Sequence, residues 1–290
     1  MNDEQNSWAL REKDVQRRFD RAAKTINSAD FVHRRAADGL FERMQPMQVT
    51  VNTAVDLGCA TGKSSRELAK RFRGARVIGL DLSAGMLREA KSARSRFSQV
   101  REVRANASRL PFADDSIDLV FSNMLLPWIN DLPASFAEVA RVLRKDGLFS
   151  FSTLGPDSLA ELHRTWSGLD SYQHVNRFAD MHDLGDLLLQ TGMRDPVLDI
   201  DHLSVQYRTV SSLFDDLTAA GARNSLAMRP PGLTGRRRFA EMKERLQGGA
   251  DKAQLELRLE LVFGHAWGGE VPQGDADYRF DVSELGHRRR

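Results

Sequence analysis

A chain of 290 residues, 41% hydrophobic and 28% charged, has ordinary globular composition and room for one large domain or two small ones, which excludes a disordered, collagen-like or disulfide-stapled polypeptide. Its 42 basic and 40 acidic side chains leave a formal charge of +2, too balanced for nucleic acid to be a bulk partner. The single cysteine, Cys59, excludes an internal disulfide and any cysteine-rich metal site, and it fits a reducing compartment.

Residues 1–24 are charged and polar, with no apolar targeting segment. No run reaches the roughly 18 apolar residues of a membrane span, so the expectation is a cytoplasmic protein. Residues 1–13 read as a loose leader, and Asp14 to Met44 as one or two amphipathic helices ended by Pro46. Short apolar runs then alternate with helical ones. Strands are expected from Thr53, over Arg76–Asp81, Val100–Ala105, Ile117–Ser122 and Leu148–Leu154. Helices are expected over Ser64–Arg73, from the Ser83 cap to about Arg94, and over Leu132–Leu143, stopped by Lys145-Asp-Gly147. This alternation predicts an α/β fold, a doubly wound parallel sheet covered on both faces. Further on, helices are expected over Ser158–Leu169, Met181–Gly192 and Val210–Gly221, and alternating strands over Asp199–Tyr207 and Leu255–Trp267.

The segment Asp56-Leu-Gly58-Cys-Ala-Thr-Gly62 lies between a strand and a helix, where glycines let the backbone turn tightly and approach a ligand. A phosphate-binding P-loop needs four residues between its glycine and Gly-Lys-Ser, and only three separate Gly58 from Gly62. A dinucleotide fingerprint needs G-x-G-x-x-G, but Ala60 and Lys63 occupy its second and third glycine positions. What remains is an acidic residue two before the first glycine and a second acidic residue, Asp81, ending the next strand. That pattern resembles the cofactor loop of the S-adenosylmethionine-dependent methyltransferases, whose cationic amino-acid cofactor carries no pyrophosphate; the resemblance implies that Asp56 orders its methionine end and that Asp81 accepts from both ribose hydroxyls at the carboxyl end of the sheet. Cys59 reads as a small loop residue, since no His or Asp spacing makes it a nucleophile.

These residues resemble the Rossmann-like class I S-adenosylmethionine-dependent methyltransferases, over roughly residues 50–155. The resemblance implies S-adenosylmethionine as cofactor, held by Asp56, Gly58, Cys59, Gly62, Asp81 and Leu82, by Asn106 and Ala107 against the adenine, and by Ser122 at the fourth strand. Asn106 stands where the family usually carries Asp; its amide oxygen still accepts a hydrogen bond. Phe19-Asp-Arg-Ala-Ala23, Ser122-Asn-Met-Leu-Leu-Pro-Trp128, Phe151-Ser-Thr-Leu154, Ser158-Leu-Ala-Glu-Leu-His163, Asn176-Arg-Phe178 and Phe263-Gly-His-Ala-Trp267 resemble more particularly the malonyl-acyl-carrier-protein O-methyltransferases of biotin synthesis. This implies methyl transfer to the free carboxylate of a malonyl thioester, disguising it for the fatty-acid enzymes. Ile26 stands close to the place where that family usually has an active-site Tyr. Ala29-Asp-Phe-Val-His33 is closer to a sister group tied to assembly of respiratory complex I, which includes a protein-arginine hydroxylase. That role, and methylation of another small molecule, are the alternatives.

A carboxylate acceptor is already ionised at neutral pH and needs alignment and desolvation rather than a general base. An Arg fork would match it. The preferred candidate is Arg177, in an irregular insertion after the fifth strand, with His174 a hydrogen-bonded lid residue and Pro127 and Trp128 walling the cofactor pocket. The seven histidines show no metal-binding spacing. An acidic carrier protein, the implied partner, would meet a basic face, for which Arg17, Arg18, Arg21 and Arg236–Arg238 are candidates. The expected organisation is an N-terminal helical extension (1–48), a methyltransferase domain (49–267) with a helical lid insertion (155–192), and a flexible tail (268–290). Oligomeric state has no signature in the sequence.

Overall fold

The computed structural model describes residues 8–95, 98–232, 234–248 and 255–269; nearly all of the expected tail, with Arg288–Arg290, lies outside them. Five strands run in parallel: β1 (Thr53–Leu57), β2 (Arg76–Asp81), β3 (Val100–Arg104), β4 (Ile117–Asn123) and β5 (Leu143–Leu154). Two long strands complete the sheet, β6 (Arg194–Tyr207) and β7 (Leu255–Trp267). β7 inserts antiparallel between β5 and β6, giving the order β3-β2-β1-β4-β5-β7-β6. The chain leaves β1 for β2 on one side and returns to β4 on the other. This opens a crevice at the carboxyl ends of β1 and β4, where ligands of such sheets bind.

Side-chain alternation sends each strand's residues to two cores. Val55, Val120, Phe149 and Phe151 pack with Phe136, Val139 and Val142 of α5 (Leu132–Val142) and with Leu184 and Leu188 of α7 (Met181–Gln190). Ala54, Leu119, Phe121 and Leu148 pack on the other face with Leu40 of α2 (Phe31–Arg43) and Leu68 of α3 (Lys63–Arg71). The predicted doubly wound sheet is therefore present, and α2 is one of its covering helices. A third core joins α6 (Ala160–Ser167), α8 (Val210–Ala219) and α9 (Arg236–Gln247) to the start of β7 through Leu162, Trp166, Leu213, Met242, Leu255 and Leu257. No helix among the described residues is long and apolar enough to cross a membrane.

Three expectations are corrected. β5 starts at Leu143 rather than Leu148: Lys145-Asp-Gly147 lies inside the strand, as an irregularity where the register with β4 jumps from Ile117–Leu143 to Leu119–Leu148 and Asp146 is left-handed at φ 62°. β6 starts at Arg194, five residues before Asp199. The described end of the leader is tied down: Leu10 bridges Leu226, the Arg11 amide donates to the Ser225 carbonyl (2.8 Å), and Asn130 exchanges hydrogen bonds with the Leu10 backbone (2.7 and 3.0 Å).

Candidate active site

The crevice holds a cavity of about 180 Å³. Its floor is the loop after β1, the end of β2 and the segment Ala105–Ser108, and its roof is α1 (Glu12–Ala22), the turn Ile26–Ser28 and the start of α2. The roof is pinned from several sides. Asp20 accepts from the Ser83 hydroxyl (2.7 Å) and the Gly85 amide (2.8 Å) at the start of α4 (Ala84–Ala93). A Cβ at Gly85 would sit 2.8 Å from the Asp20 carbonyl oxygen, so only glycine allows this approach. The Thr61 hydroxyl donates to Asn27 (2.9 Å), and Lys63 pairs with the buried carboxylate of Asp30.

Gly58 adopts φ +79°, and a Cβ there would meet Leu125 at 2.9 Å. The loop amides do not form an anion cradle. Those of Gly58 and Cys59 donate to the Leu80 carbonyl (2.8 and 3.0 Å), that of Ala60 to the Asp81 carboxylate (2.9 Å), and that of Gly62 to the Cys59 carbonyl (2.8 Å). With these donors spent inside the protein, the loop suits a cofactor with no phosphate there. Asp81 also accepts from the Ser83 amide (2.8 Å) and retains lone pairs for further donors. Burial raises its pKa against these amides. Asp56, 1% exposed, is pushed up to about 7 by burial, reinforced by the charge of Asp81 and opposed by the Ser65 hydroxyl it accepts from. Burial, with Asp56 and Asp81 nearby, lifts the Cys59 thiol well above its usual range, which fits a loop residue and not a nucleophile.

Of the residues expected at the cofactor, Asp56, Gly58, Cys59, Asp81, Leu82, Asn106 and Ala107 line this cavity. Asn106 turns its side-chain oxygen to the Ser108 amide (2.9 Å). Gly62 and Ser122 are not part of the lining. Gly62 is the left-handed residue before α3, and a Cβ there would press on Ala90 (3.1 Å). Ser122 is 0% exposed and donates to the Leu57 carbonyl (3.1 Å) within the sheet, and its neighbour Asn123 reaches the cavity instead. Ile26 lines the cavity.

A second cavity of about 630 Å³ adjoins the first, sharing Phe19, His33, Met124 and Trp128 with it. Its walls are largely apolar and include Leu162, Trp166, Val175, Leu213 and Phe239. Its cationic lining includes Arg18, Arg223 and Arg229. Burial, and then the charges of Arg229 and Arg223, hold the Arg18 guanidinium below its ordinary pKa. Arg18 Nη2 donates to the Asn224 carbonyl (2.8 Å), but its buried Nε has no partner. Arg229 pairs with Asp14 (2.8 Å). Arg177 is exposed and lines neither cavity, because the chain turns Val175 and Phe178 inward on either side of it. His174 does line the second cavity, bonded to Asp170 (2.8 Å) and stacked on Trp166 (3.8 Å between ring centroids). Of the expected lid, residues 159–178 contribute to this cavity while α7 lies against the sheet. No group of three His, Cys, Asp or Glu among the described residues could hold a metal.

Sequence reasoning missed the roof: Asn27, Asp30 and His33. The only signal was the Ala29–His33 stretch, which says nothing about where its helix packs.

Sheet order, glycine turn and acidic strand ends define a class I S-adenosylmethionine-dependent methyltransferase. The profile of the methyltransferase domain family matches residues 55–151, and the YcgJ protein of Bacillus subtilis shares the fold with a TM-score of 0.59 at 18% identity, over 80% of this chain and 99% of that one. Closer relatives are malonyl-[acyl-carrier protein] O-methyltransferases. That of Gallionella capsiferriformans is 39% identical over 90% of this chain and 92% of its own, and that of Halorhodospira halophila 38% identical over 95% and 96%. The chain belongs to the malonyl-[acyl-carrier protein] O-methyltransferase family, and its cofactor is S-adenosylmethionine.

Proposed function

We propose that the protein methylates the free carboxylate of a malonyl thioester carried on acyl-carrier protein, the masking step of biotin synthesis in the cytoplasm. The observation that carries this reading is the second cavity: apolar, large enough for an acyl arm, joined to the first, and lined by four arginines, of which Arg18 has a buried Nε without a hydrogen-bond partner. Such a lining favours an anion on an extended carrier over an amine or a neutral acceptor. Arg18, Arg223 and Arg229 take the carboxylate-attracting role expected of Arg177.

In the first cavity, Asp81 accepts from the ribose hydroxyls, Asn106 and Ala107 face the adenine, and Asp56, Gly58, Cys59 and Leu82 shape the floor. Gly62 contributes by setting the turn, and Ser122 by fixing β4 on β1. Bound there, S-adenosylmethionine supplies an electrophilic methyl group on a positively charged sulfur. Phe19, Met124 and Trp128 exclude water between the cavities, which strips solvent from the acceptor oxygen and raises its reactivity. No proton has to be removed, because a carboxylate acceptor is already ionised at neutral pH. The carrier approaches the exposed Arg236–Arg238, since Arg236 stands on the rim of the second cavity. The test is incubation with methyl-labelled S-adenosylmethionine and malonyl-acyl-carrier protein, read by intact mass. One methyl gained on the acyl group, with the thioester intact, supports the reading. No gain with the cofactor bound overturns it in favour of another acceptor or an assembly role.

A further inference from the structure

Four residues line both cavities, and three of them, Phe19, Met124 and Trp128, are apolar. The fourth is His33. The junction is firmly built: Asn123 donates to the His33 carbonyl (3.0 Å) and accepts from the Ser152 hydroxyl (2.7 Å), while Met124 is held at φ 59°. A left-handed, non-glycine residue at such a place is strain that its surroundings must hold. Nδ1 of His33 is buried with no hydrogen-bond partner. Burial lowers the ring's pKa, against the pull of Asp30, so the imidazole is neutral at pH 7. A neutral ring carries one N–H, and a buried N–H without an acceptor is rarer than a buried lone pair without a donor. The proton therefore belongs on Nε2.

We propose that His33 positions the methyl acceptor, its Nε2–H donating to one oxygen of the malonyl carboxylate and leaving the other oxygen free to attack. This rests on the substrate reading above. A neutral donor suits this place better than a cation. The acceptor's negative charge is spent as the reaction proceeds, so a cation in contact with it would stabilise the starting state more than the transition state. A division of labour follows: the arginines of the second cavity draw the anion in, and His33 sets its orientation at the junction.

The experiment is steady-state kinetics of wild type, His33→Ala and His33→Gln on malonyl-acyl-carrier protein, with S-adenosylhomocysteine affinity measured by calorimetry. It is joined by ¹⁵N NMR of labelled histidines on adding malonyl-pantetheine to the S-adenosylhomocysteine complex. The alanine variant is expected to lose kcat by about 10- to 100-fold, the worth of one hydrogen bond to a charged group, with KM changed less and S-adenosylhomocysteine affinity unchanged. Gln, which restores a side-chain N–H, is expected to recover most of kcat. One histidine Nε2 resonance should move on acceptor binding and be absent in both variants. Unchanged turnover in His33→Ala, no rescue by Gln, or a parallel loss of S-adenosylhomocysteine affinity overturns the proposal while wild type stays active. A wild type that binds S-adenosylhomocysteine and leaves malonyl-acyl-carrier protein unmethylated overturns the substrate reading and this proposal with it.

Discussion

The two cavities share four residues and little else. The first is small, and its floor is backbone: strand ends, a glycine turn and the Ala105–Ser108 segment, with carboxylates bonded to main-chain amides. The second is more than three times larger and is made from side chains of α6, α8, α9, β6 and β7, which pack on one another around a separate core. Backbone-built sites tolerate little substitution. Side-chain-built sites can be retuned one residue at a time, which is how a single fold hosts many acceptors. The contrast predicts that changes in the first cavity abolish cofactor binding, and that changes in the second shift acceptor preference with cofactor binding intact.

The largest effect is expected from Asp81→Ala. On the cofactor seating proposed above it removes the acceptor for two ribose hydroxyls, and it frees the Ala60 and Ser83 amides that hold the loop. Charged hydrogen bonds contribute about 1.5–3 kcal/mol each, so cofactor affinity should fall by roughly 100-fold or more. Calorimetric titration with S-adenosylhomocysteine checks this, and an affinity within a few-fold of wild type would break the comparison on its first side.

A smaller and selective effect is expected from Arg18→Met, which keeps the apolar stem and removes the charge. KM for malonyl-acyl-carrier protein should rise by about 10-fold, from the loss of a charge-assisted contact in a partly exposed setting. S-adenosylhomocysteine affinity should stay unchanged. Arg177→Met should alter neither, since that side chain lines neither cavity. If Arg177→Met raised KM and Arg18→Met did not, the acceptor site would have to be sought elsewhere.

The same contrast explains what could be read from the sequence. The first cavity's floor was legible because a glycine turn and acidic strand ends carry conformational and chemical meaning at fixed spacing. Even there the strand's alternation matters: successive strand residues face opposite ways, so Ser122 bonds within the sheet and its neighbour Asn123 lines the cavity. The roof was not legible. Amphipathic spacing over Asp14–Met44 gives two helices but does not say which surface they bury against, and Asp20 meeting Gly85 is a contact 65 residues apart. Arg177 stood in a suggestive loop, yet a loop has no periodicity to say which of Val175, Asn176, Arg177 and Phe178 turns inward. Arg18 and His33 lie on helices whose facing only tertiary packing fixes.

The smallest predicted effect bears on the floor and is a pH dependence. Asp56 has an ordinary carboxylate pKa in the unfolded chain and one of about 7 when buried in the cofactor-free protein. Between those values the folded state binds the extra proton, so folding stability falls as pH rises from about 4 to about 7 and levels off beyond. Asp81, raised in the same direction by burial, contributes with the same sign. Asp56→Asn cannot ionise, so it should flatten part of the decline in Tm between pH 5 and pH 8 and leave the remainder to Asp81. With the cationic cofactor seated beside Asp56 as proposed, the ionised form is favoured, so binding at pH 7 should release a fraction of a proton, seen as a dependence of the binding heat on buffer ionisation enthalpy. Asp56→Asn should remove most of that dependence. Acceptor-side variants such as Arg18→Met should leave it intact, because the titrating carboxyl belongs to the backbone-built floor and to no wall of the second cavity. Proton release that vanished in Arg18→Met and persisted in Asp56→Asn would mean that the two cavities are electrostatically one site.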